Sequence, residues 1–467
     1  MTYLKTALYQ FLILIFSAAG PVAAASLSDQ DMQQIKKLEQ TALTSNLAFE
    51  IDESLSTEVG ARRVGTEGNR RSIPWAVAKM KQLGFDKVWT EKVTHTSWTR
   101  GTAEARVVAP YPQKMVAIAL GGSVGTPKDG IRAEVVEFKD FAALKAAAPG
   151  SLKGKIAFVS FHMQRKIDGS GYGPAVMSRV AGPSVAAKKG ALALIIRSVG
   201  TDHNRLGHTG MLDYQEGIAR IPAAALSPPD ADMLSRQIGR SKPVEIFLKL
   251  TTKRRDDVPV ITANVIGEVT GRSHPDQYVV LGAHLDSWDV GTGAVDDGIG
   301  VSVTLAAAHY IAALPERPKR TIRVILFGAE EEGLIGVTQY VKTHKDEMKN
   351  HMIGAEWDFG TGRIYRMIPG VGPSALNNIR ELADLLAPLG VALSPKNDAK
   401  GQSDMSALGK AGMPAVNFSP DGMAYFDWHH TENDTLDKVD PDALKQNTAV
   451  FTIFSYFAAE SDVDFRK

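Results

Sequence analysis

Strand-like and helix-like segments alternate along the chain from about residue 256 onward. The apolar runs VPVITANVIGEV and QYVVLGAHLDS are typical of strands, and the helical run GIGVSVTLAAAHYIAAL separates them from the strand-like run RTIRVILFG. The alternation continues as far as the strand-like run MPAVNFS. This order favours an α/β fold with a mixed, mostly parallel sheet flanked by helices.

The middle of the chain has a different pattern. Short strand-like runs such as MVAIALGG and GKIAFVSF lie between turns rich in glycine and proline, with one helical stretch, GPSVAAKKGA. We therefore predict a β-rich domain at 108–251, inserted into a larger domain formed by residues 26–107 and 252–467. Residues 169–184 are rich in glycine and serine, so we expect a loop there, either a lid or an idle surface loop.

The N-terminal 25 residues have the pattern of a signal peptide. Lys5 precedes a mostly apolar run over 7–19, and three alanines at 23–25 form a small-residue cleavage site. The apolar run is shorter than the roughly 20 residues that a membrane-spanning helix needs, although an uncleaved anchor is the alternative. We predict an exported protein, periplasmic or secreted, with no transmembrane segment after cleavage.

The composition excludes several classes of function. The formal net charge is +1, from 53 basic and 52 acidic residues, so nothing in it indicates a nucleic acid or an anionic membrane as partner. The chain has no cysteine, which excludes thiol catalysis and any zinc site with cysteine ligands. A chain of 467 residues can bury a core large enough to be stable without disulfides.

Acidic and histidine residues follow the predicted strands of the last third of the chain. They are His284, Asp286, Asp296, Asp297, Glu330, Glu331, Glu332, Asp358, His429 and His430. Ligands of α/β sheets bind beyond the carboxyl ends of the strands, where these side chains are expected to meet. Each residue alone is more typical of a helix cap or a solvated loop, but four strand ends that all carry such residues indicate a metal site.

The types of residue favour zinc. Imidazole and carboxylate ligands without thiolate are typical of hydrolytic zinc sites. Two histidines and three carboxylates are more ligands than one tetrahedral ion can bind, but they suffice for two Zn²⁺ ions if one carboxylate bridges them. Asp286 is spaced to accept the second imidazole N–H of His284. Of Glu330 and Glu331, one can bind metal while the other acts as a general base.

Five motifs in order resemble one known family. They are H-x-D at 284–286, D-x-x-x-G at 296–300, A-E-E-x-G-L-x-G at 329–336, Asp358, and H-[ST]-x-x-D-T at 430–435. This set is similar to the co-catalytic di-zinc exopeptidases, which include bacterial leucyl aminopeptidase and glutamate carboxypeptidases. The inserted segment resembles a protease-associated domain, on weaker motifs.

The resemblance implies a role for each residue. One zinc ion would be held by Asp296, Glu331 and His430, and the other by His284, Asp296 and Asp358, with Asp296 as the bridge. Glu330 would be the general base, and Asp286 is the second candidate catalytic residue, through its expected contact with His284. His429 matches no ligand position, so we expect an orienting or pocket-wall residue. Glu332 falls at a variable position and is expected to be solvated or structural, and Asp297 to be a turn or helix-cap residue.

The resemblance also implies exopeptidase action. Because residues 108–251 interrupt the larger domain, we expect them to cover part of the cleft, which predicts dipeptides and short peptides as substrates. Whether the free amino or the free carboxyl end is recognised stays open, as do an amidohydrolase, a glutaminyl cyclase-like enzyme on the same fold, and a non-catalytic binding ectodomain. Ser403, Asp404 and Tyr425 are candidate pocket residues, because the segment 400–414 precedes the strand that leads to His430. A homodimer is compatible with the strand-like edges.

Overall fold

The computed structural model describes residues 27–240 and 242–467, so the predicted signal peptide lies outside the described residues. In this part of the chain the α-helices are α1 Asp29–Thr44, α2 Leu47–Ser54, α3 Glu67–Gln82, α4 Phe141–Ala146, α5 Tyr172–Val180, α6 Gly182–Lys188, α7 Pro228–Ile238, α8 Ile299–Ala312, α9 Ile335–Thr343, α10 Leu376–Leu386, α11 Met405–Lys410, α12 Tyr425–Trp428 and α13 Pro441–Glu460. None of these helices combines the length and the apolar character that crossing a bilayer requires.

The strands form two eight-stranded sheets. In chain order they are β1 Lys87–Thr99, β2 Ala103–Ala109, β3 Gln113–Met115, β4 Ala117–Ala119, β5 Ile131–Phe138, β6 Ile156–Val159, β7 Ala193–Arg197, β8 Ala223–Leu226, β9 Glu245–Leu250, β10 Lys253–Val269, β11 His274–His284, β12 Arg320–Phe327, β13 His351–Glu356, β14 Ile364–Gly370, β15 Ala392–Leu393 and β16 Ala415–Pro420.

The first sheet has the order β1-β10-β12-β11-β13-β16-β14-β15. Its central strands β12, β11, β13 and β16 are parallel to one another, whereas β1 and β10 pair antiparallel at one side. The mixed α/β sheet expected from the alternating pattern is confirmed. Parallel strands start and end on the same edges, so the carboxyl ends of β11, β12 and β13 lie together.

The central strands are apolar because helices cover both faces of the sheet. All eight residues of β12 are buried, and so are the last six of β11. Helix α8 is buried along almost its whole length, since it contacts α2, α13 and β11. Continuous apolar runs of this kind are typical of parallel strands in the middle of an α/β layer.

The second sheet is built entirely from the chain between Ala103 and Leu250, in the order β3-β2-β9-β5-β6-β7-β8-β4. It begins a few residues before the predicted boundary at 108. Strands β5 to β8 are parallel, and helices α4 to α7 lie within the same segment. The segment therefore contains more helix than the single stretch that its sequence indicated.

The prediction of a loop at 169–184 is wrong. Helices α5 and α6 cover most of it, and its glycines lie at the helix ends, with Gly169 at φ +67°. The helix forms because its side chains have tertiary partners. The ring of Tyr172 stacks on Phe426 with the ring centroids 5.0 Å apart, and Arg179 is buried.

A buried histidine lies at the start of β13, far from the strand ends that carry the acidic residues. The Nδ1–H of His351 donates to the Glu347 carbonyl at 3.0 Å, and its Nε2 accepts from the Tyr340 hydroxyl at 2.9 Å. Burial lowers the pKa of His351 to about 4. The folded protein therefore keeps this imidazole neutral at a pH where the unfolded chain protonates it.

We predict that His351 contributes to acid sensitivity. Its folded pKa is below the unfolded value, so its contribution is complete above about pH 6.5 and is lost as the pH falls toward 4, by about 3 kcal/mol in all. The wild type and His351→Gln should therefore converge in free energy of unfolding across this range, measured by denaturant titration. His274→Gln, which removes an exposed histidine, is the matched control. Parallel pH curves for the wild type and His351→Gln would contradict the prediction.

Candidate active site

Acidic and histidine side chains meet at the carboxyl edge of the first sheet. His284 ends β11, Asp296 precedes α8, Glu330 and Glu331 follow β12, and Asp358 follows β13. His430 reaches the same place from the segment after α12. In the parallel register, His284 pairs with Phe327 of β12 and Gly282 pairs with Glu356 of β13, so the strand ends are neighbours.

Asp296 lies at the centre of two groups of donor atoms. Its Oδ1 is 3.1 Å from His284 Nε2, and its Oδ2 is 3.3 Å from His430 Nε2. Asp358 Oδ1 is 3.5 Å from His284 Nε2, and Glu331 Oε2 is 3.0 Å from His430 Nε2. The donor atoms thus form one group around His284 and another around His430, and the two groups share one carboxylate.

The electrostatics of this cluster show strong coupling between acids and imidazoles. Although burial alone would raise it, the neighbouring imidazoles of His284 and His430 hold the pKa of Asp296 well below its ordinary value. Burial and then the charge of Asp296 raise the pKa of Glu331 well above its ordinary value. Buried carboxylates that crowd together in this way are stabilised by a cation.

Two carboxylate oxygens in the cluster also have no hydrogen-bond partner among the described residues. They are Asp296 Oδ2 and Glu331 Oε1, and both are buried. Buried polar atoms are nearly always paired, so unpaired oxygens beside imidazole nitrogens fit a metal ion. The donors are nitrogen and oxygen without sulfur, which suits zinc. These residues could therefore hold a divalent cation.

The second ring nitrogen distinguishes the three histidines of the site. His284 Nδ1–H donates to the Asp286 carbonyl at 2.9 Å, and His430 Nδ1–H donates to the Thr209 carbonyl at 3.3 Å. Metal-binding histidines usually have such a partner. His429 Nδ1 has none, although its Nε2 is 3.7 Å from Asp296 Oδ2 and its ring stacks on His430 at 3.5 Å. This favours His284 and His430 as ligands and His429 as a wall residue.

The contact predicted for Asp286 is wrong. Its carboxylate does not accept the imidazole N–H of His284, because the backbone carbonyl of the same residue does so. The Asp286 carboxylate instead accepts the backbone N–H of Glu330 at 3.1 Å. The chain turns after β11, which directs this side chain toward the turn after β12.

The three adjacent glutamates point to three different partners. Ser403 Oγ donates to Glu330 Oε1 at 2.5 Å, and Glu331 contacts His430. Glu332 is 3% exposed and pairs with Arg63 at 2.6 Å, so the solvated alternative for Glu332 is wrong and the structural one holds. Burial raises the pKa of Glu330 to about 8. The turn has left-handed backbone at Ala329, φ +62°, which sets these directions.

Asp297 lies at the start of α8 and caps it, as its sequence position indicated. Its Oδ1 accepts the Gly300 N–H at 3.0 Å, and its Oδ2 accepts the His284 N–H at 3.0 Å. A Cβ atom at position 300 would lie 2.2 Å from the Trp357 carbonyl, so only glycine allows this approach. The spacing D-x-x-x-G therefore holds Asp296 in place through its neighbour. The Asp296–Asp297 peptide bond is cis.

A cavity of about 690 Å³ opens onto the cluster. Three of the four candidate pocket residues, Ser403, Tyr425 and His429, line it. Asp404 does not, and this prediction is wrong. Ser403 has φ +37° immediately before α11, so the next side chain turns inward and is fully buried. Burial, and then the charge of Glu356, raise the pKa of Asp404 well above its ordinary value.

The chain segment that forms the second sheet also supplies part of the cavity wall, and the sequence motifs did not indicate this. The residues from this segment are Tyr172, Arg179, Val180, Met211, Leu212 and Asp213. They come from α5 and from the connection before β8. Their place in the site carries no local sequence signal, because they lie far from the motifs in the chain.

The same connection holds the segment that carries His430. His208 is buried, contacts Asp202 through Nε2 at 2.8 Å, and donates from Nδ1 to the His429 carbonyl at 2.8 Å. The Thr209 N–H donates to the His430 carbonyl at 3.0 Å. His430 has left-handed backbone, φ +61°, which these bonds stabilise.

Comparisons with known proteins place this site in a family. The model of peptidase family M28 matches residues 264–454. Carboxypeptidase Q from Bos taurus is 34% identical over 415 residues, which are 89% of this chain and 86% of the relative. A solved structure of a peptidase M28 precursor from Shewanella amazonensis is 46% identical with a TM-score of 0.92, covering 94% of this chain and 99% of that one.

Aminopeptidases are more distant relatives. Aminopeptidase YwaD from Bacillus subtilis is 24% identical over 434 residues, which are 89% of this chain and 85% of the relative. A zinc aminopeptidase from Bacillus subtilis shares the fold, with a TM-score of 0.62 at 22% identity over 90% of this chain and 98% of that one.

The fold and the cluster at the strand ends define a metallo-exopeptidase, a hydrolase that acts on peptide bonds. The chain belongs to peptidase family M28. The family indicated by the five motifs is thereby confirmed.

We predict that Glu332 stabilises the fold and does not bind metal. Although burial alone would raise it, His95 and Arg63 hold the pKa of Glu332 below its ordinary value. Glu332→Gln leaves buried Arg63 with its longer 3.9 Å contact to Asp289 and without its 2.6 Å ion pair, so the free energy of unfolding should fall by about 2–5 kcal/mol while zinc content is unchanged. Glu245→Gln, which breaks the exposed pair with Arg132, should change little. Loss of zinc in Glu332→Gln would show that Glu332 is part of the metal site.

Proposed function

We propose that this enzyme is a two-zinc exopeptidase that hydrolyses dipeptides and short peptides. The observation that carries the proposal is the pair of donor groups that share Asp296, with the Glu330 carboxyl beside them in the cavity wall. The complete set of donors argues against a non-catalytic binding ectodomain. In the reaction the peptide C–N bond breaks, and water supplies the hydroxyl of the new acid and a proton of the new amine.

In this proposal one zinc ion would be held by Asp296, Glu331 and His430, and the other by His284, Asp296 and Asp358. The distances among these side chains and the unpaired oxygens of Asp296 and Glu331 support the assignment. When bound, the ions supply electrophilic activation of the peptide carbonyl and of a water molecule. Nδ1–H of His284 and of His430 donates to a backbone carbonyl, which leaves Nε2 of each ring unprotonated and able to bind metal.

Glu330 is the general base of the proposed reaction. Its carboxylate takes a proton from the attacking water and delivers it to the leaving amine. Burial raises its pKa, and neighbouring cations would lower that pKa again, which favours a carboxylate that can exchange a proton near neutral pH. Ser403 orients one carboxylate oxygen of Glu330. Asp286 accepts the backbone N–H of Glu330, so Asp286 is a positioning residue.

The shape of the cavity supports action at a chain end. We infer that residues 26–107 and 252–467 form the catalytic domain and that residues 108–251 form a protease-associated-like domain beside it. Helix α5 and residues 211–213 line the cavity together with the metal cluster, so the second sheet covers part of the cleft. A covered cleft admits a chain terminus more readily than a folded polypeptide. Export to the periplasm or beyond the cell fits the release of amino acids from peptides, and homodimer formation stays a prediction.

We predict opposite results for the neighbouring glutamates. Glu330→Gln should keep two zinc ions per chain but lose turnover by about 10²–10⁴-fold, because general-base assistance is removed. Glu331→Gln should lose zinc affinity, because it replaces a carboxylate that contacts His430. Metal analysis and kcat on a dipeptide are measured for both variants. Zinc loss in Glu330→Gln with zinc retained in Glu331→Gln would show that Glu330 is the metal ligand and Glu331 the general base.

We predict that removal of metal by a chelator abolishes dipeptide hydrolysis and that zinc, cobalt or manganese restores it, since all three accept nitrogen and oxygen ligands. Mass spectrometry of the products from dipeptides, tripeptides and a longer peptide with both ends blocked tests the exopeptidase claim. The blocked peptide should stay intact. Internal cleavage of that peptide at the dipeptide rate would refute exopeptidase action, and full activity after chelation would refute the metal mechanism.

A further inference from the structure

Helix α5 places a buried guanidinium in the wall of the cavity. Arg179 is 5% exposed, and its Nη2 donates to the Tyr172 hydroxyl at 2.7 Å. Its Nη1 donates to the Thr209 carbonyl at 3.2 Å and lies 3.3 Å from His430 Nδ1. Its Nε has no hydrogen-bond partner among the described residues. No carboxylate in the described part of the chain forms an ion pair with it.

Other buried arginines without a carboxylate ion pair are satisfied by the fold. Arg62 donates from all three of its nitrogens to backbone carbonyls, those of residues 285, 292 and 293. Arg320 likewise uses all three nitrogens, on Gln277 and on carbonyls near the end of α13. Arg179 is different because one donor on a buried cation is left unpaired. Burying a charge without a partner is unfavourable, so an anion from solution would stabilise this site.

The metal cluster increases the freedom of Arg179. A histidine that binds metal through Nε2 carries its proton on Nδ1, and in His430 this proton is donated to the Thr209 carbonyl. Such a nitrogen cannot also accept from Arg179. One N–H of Nη1 is then left without an acceptor, while Nη1 keeps its bond to the Thr209 carbonyl.

The charges around the cavity distinguish the two ends of a peptide. Among the described residues that line it, Arg179 is the one lysine or arginine, and the acidic residues are Asp213, Asp296, Glu330, Glu331, Glu332 and Asp358. The guanidinium lies across the ring of His430 from Glu331, so it is one imidazole ring away from the metal cluster.

We propose that Arg179 binds the free α-carboxylate of the substrate, so that the enzyme removes a single C-terminal residue and acts on dipeptides from their carboxyl end. Arginine and carboxylate form charge-assisted hydrogen bonds, and the unpaired Nε of Arg179 provides a donor. Tyr172 holds the guanidinium in position through its hydroxyl. This inference rests on the proposed exopeptidase function and adds which end of the peptide is recognised.

The experiment compares leucyl-leucine with its C-terminal amide and with its N-acetyl form, using zinc-loaded enzyme. The wild type should cleave the free acid and the N-acetyl form and should cleave the amide poorly. Arg179→Gln should lower kcat/KM for the free acid by about 10- to 100-fold while leaving the amide rate and zinc content unchanged. Arg179→Lys should recover part of the loss, and Tyr172→Phe should show a smaller loss than Arg179→Gln. Arg132→Gln removes an exposed arginine from the same sheet and is the matched control.

A binding measurement provides a readout besides activity. Calorimetry should show that wild-type enzyme binds leucine more tightly than leucinamide and that Arg179→Gln removes the difference. Equal cleavage of acid and amide by the wild type, with no cleavage of the N-acetyl form, would overturn the proposal in favour of recognition of the amino end. Equal losses on acid and amide together with loss of zinc would show that Arg179 only supports His430. Failure of the wild type to cleave any of the three peptides would instead refute the proposed function itself.

Discussion

The site depends on buried negative charge around Asp296. Three carboxylates and two imidazoles meet there at the ends of parallel strands, and oxygens of Asp296 and Glu331 lack hydrogen-bond partners. Such an arrangement is unfavourable without positive charge, because the carboxylates repel one another and are removed from water. The fold nevertheless holds it in place, with Asp297 capping α8 and glycine at position 300 allowing that helix to approach Trp357. The unfavourable free energy of burying these carboxylates would be offset by two bound cations, which supports the site that we propose.

The second sheet completes this site. His430 is held in a left-handed conformation by Thr209 and by the His208 bond to the neighbouring carbonyl, and both partners come from the connection before β8. Helix α5 adds the wall residues Tyr172 and Arg179. The proposed metal ligand His430 is therefore positioned by residues of the connection before β8, so the relative position of the two sheets sets both the donor geometry and the space for substrate. The charge balance of the cavity explains why one end of a peptide would be preferred.

Much of the metal cluster is predictable from the sequence because its residues follow recognisable strands. His284, Asp358 and the adjacent glutamates each come directly after an apolar run, and parallel strands must end on a common edge. The direction of each side chain within a turn is not predictable in this way. Asp286 turns away from its expected partner, Glu332 pairs with Arg63, and Asp404 turns inward, because single backbone angles such as those of Ala329 and Ser403 decide where the following residues point.

The sequence by itself determined the α/β class, the nitrogen and oxygen chemistry of the clustered side chains and the family, since hydrophobic period, residue type and motif spacing are local properties of a chain. Only the tertiary structure decided that the glycine-rich stretch after residue 168 forms a helix and that its arginine faces the metal cluster. The contact between Arg179 and His430 joins residues 251 positions apart. Its basis is the packing of Tyr172 on Phe426 and the docking of one sheet on the other, and no local pattern encodes such long-range packing.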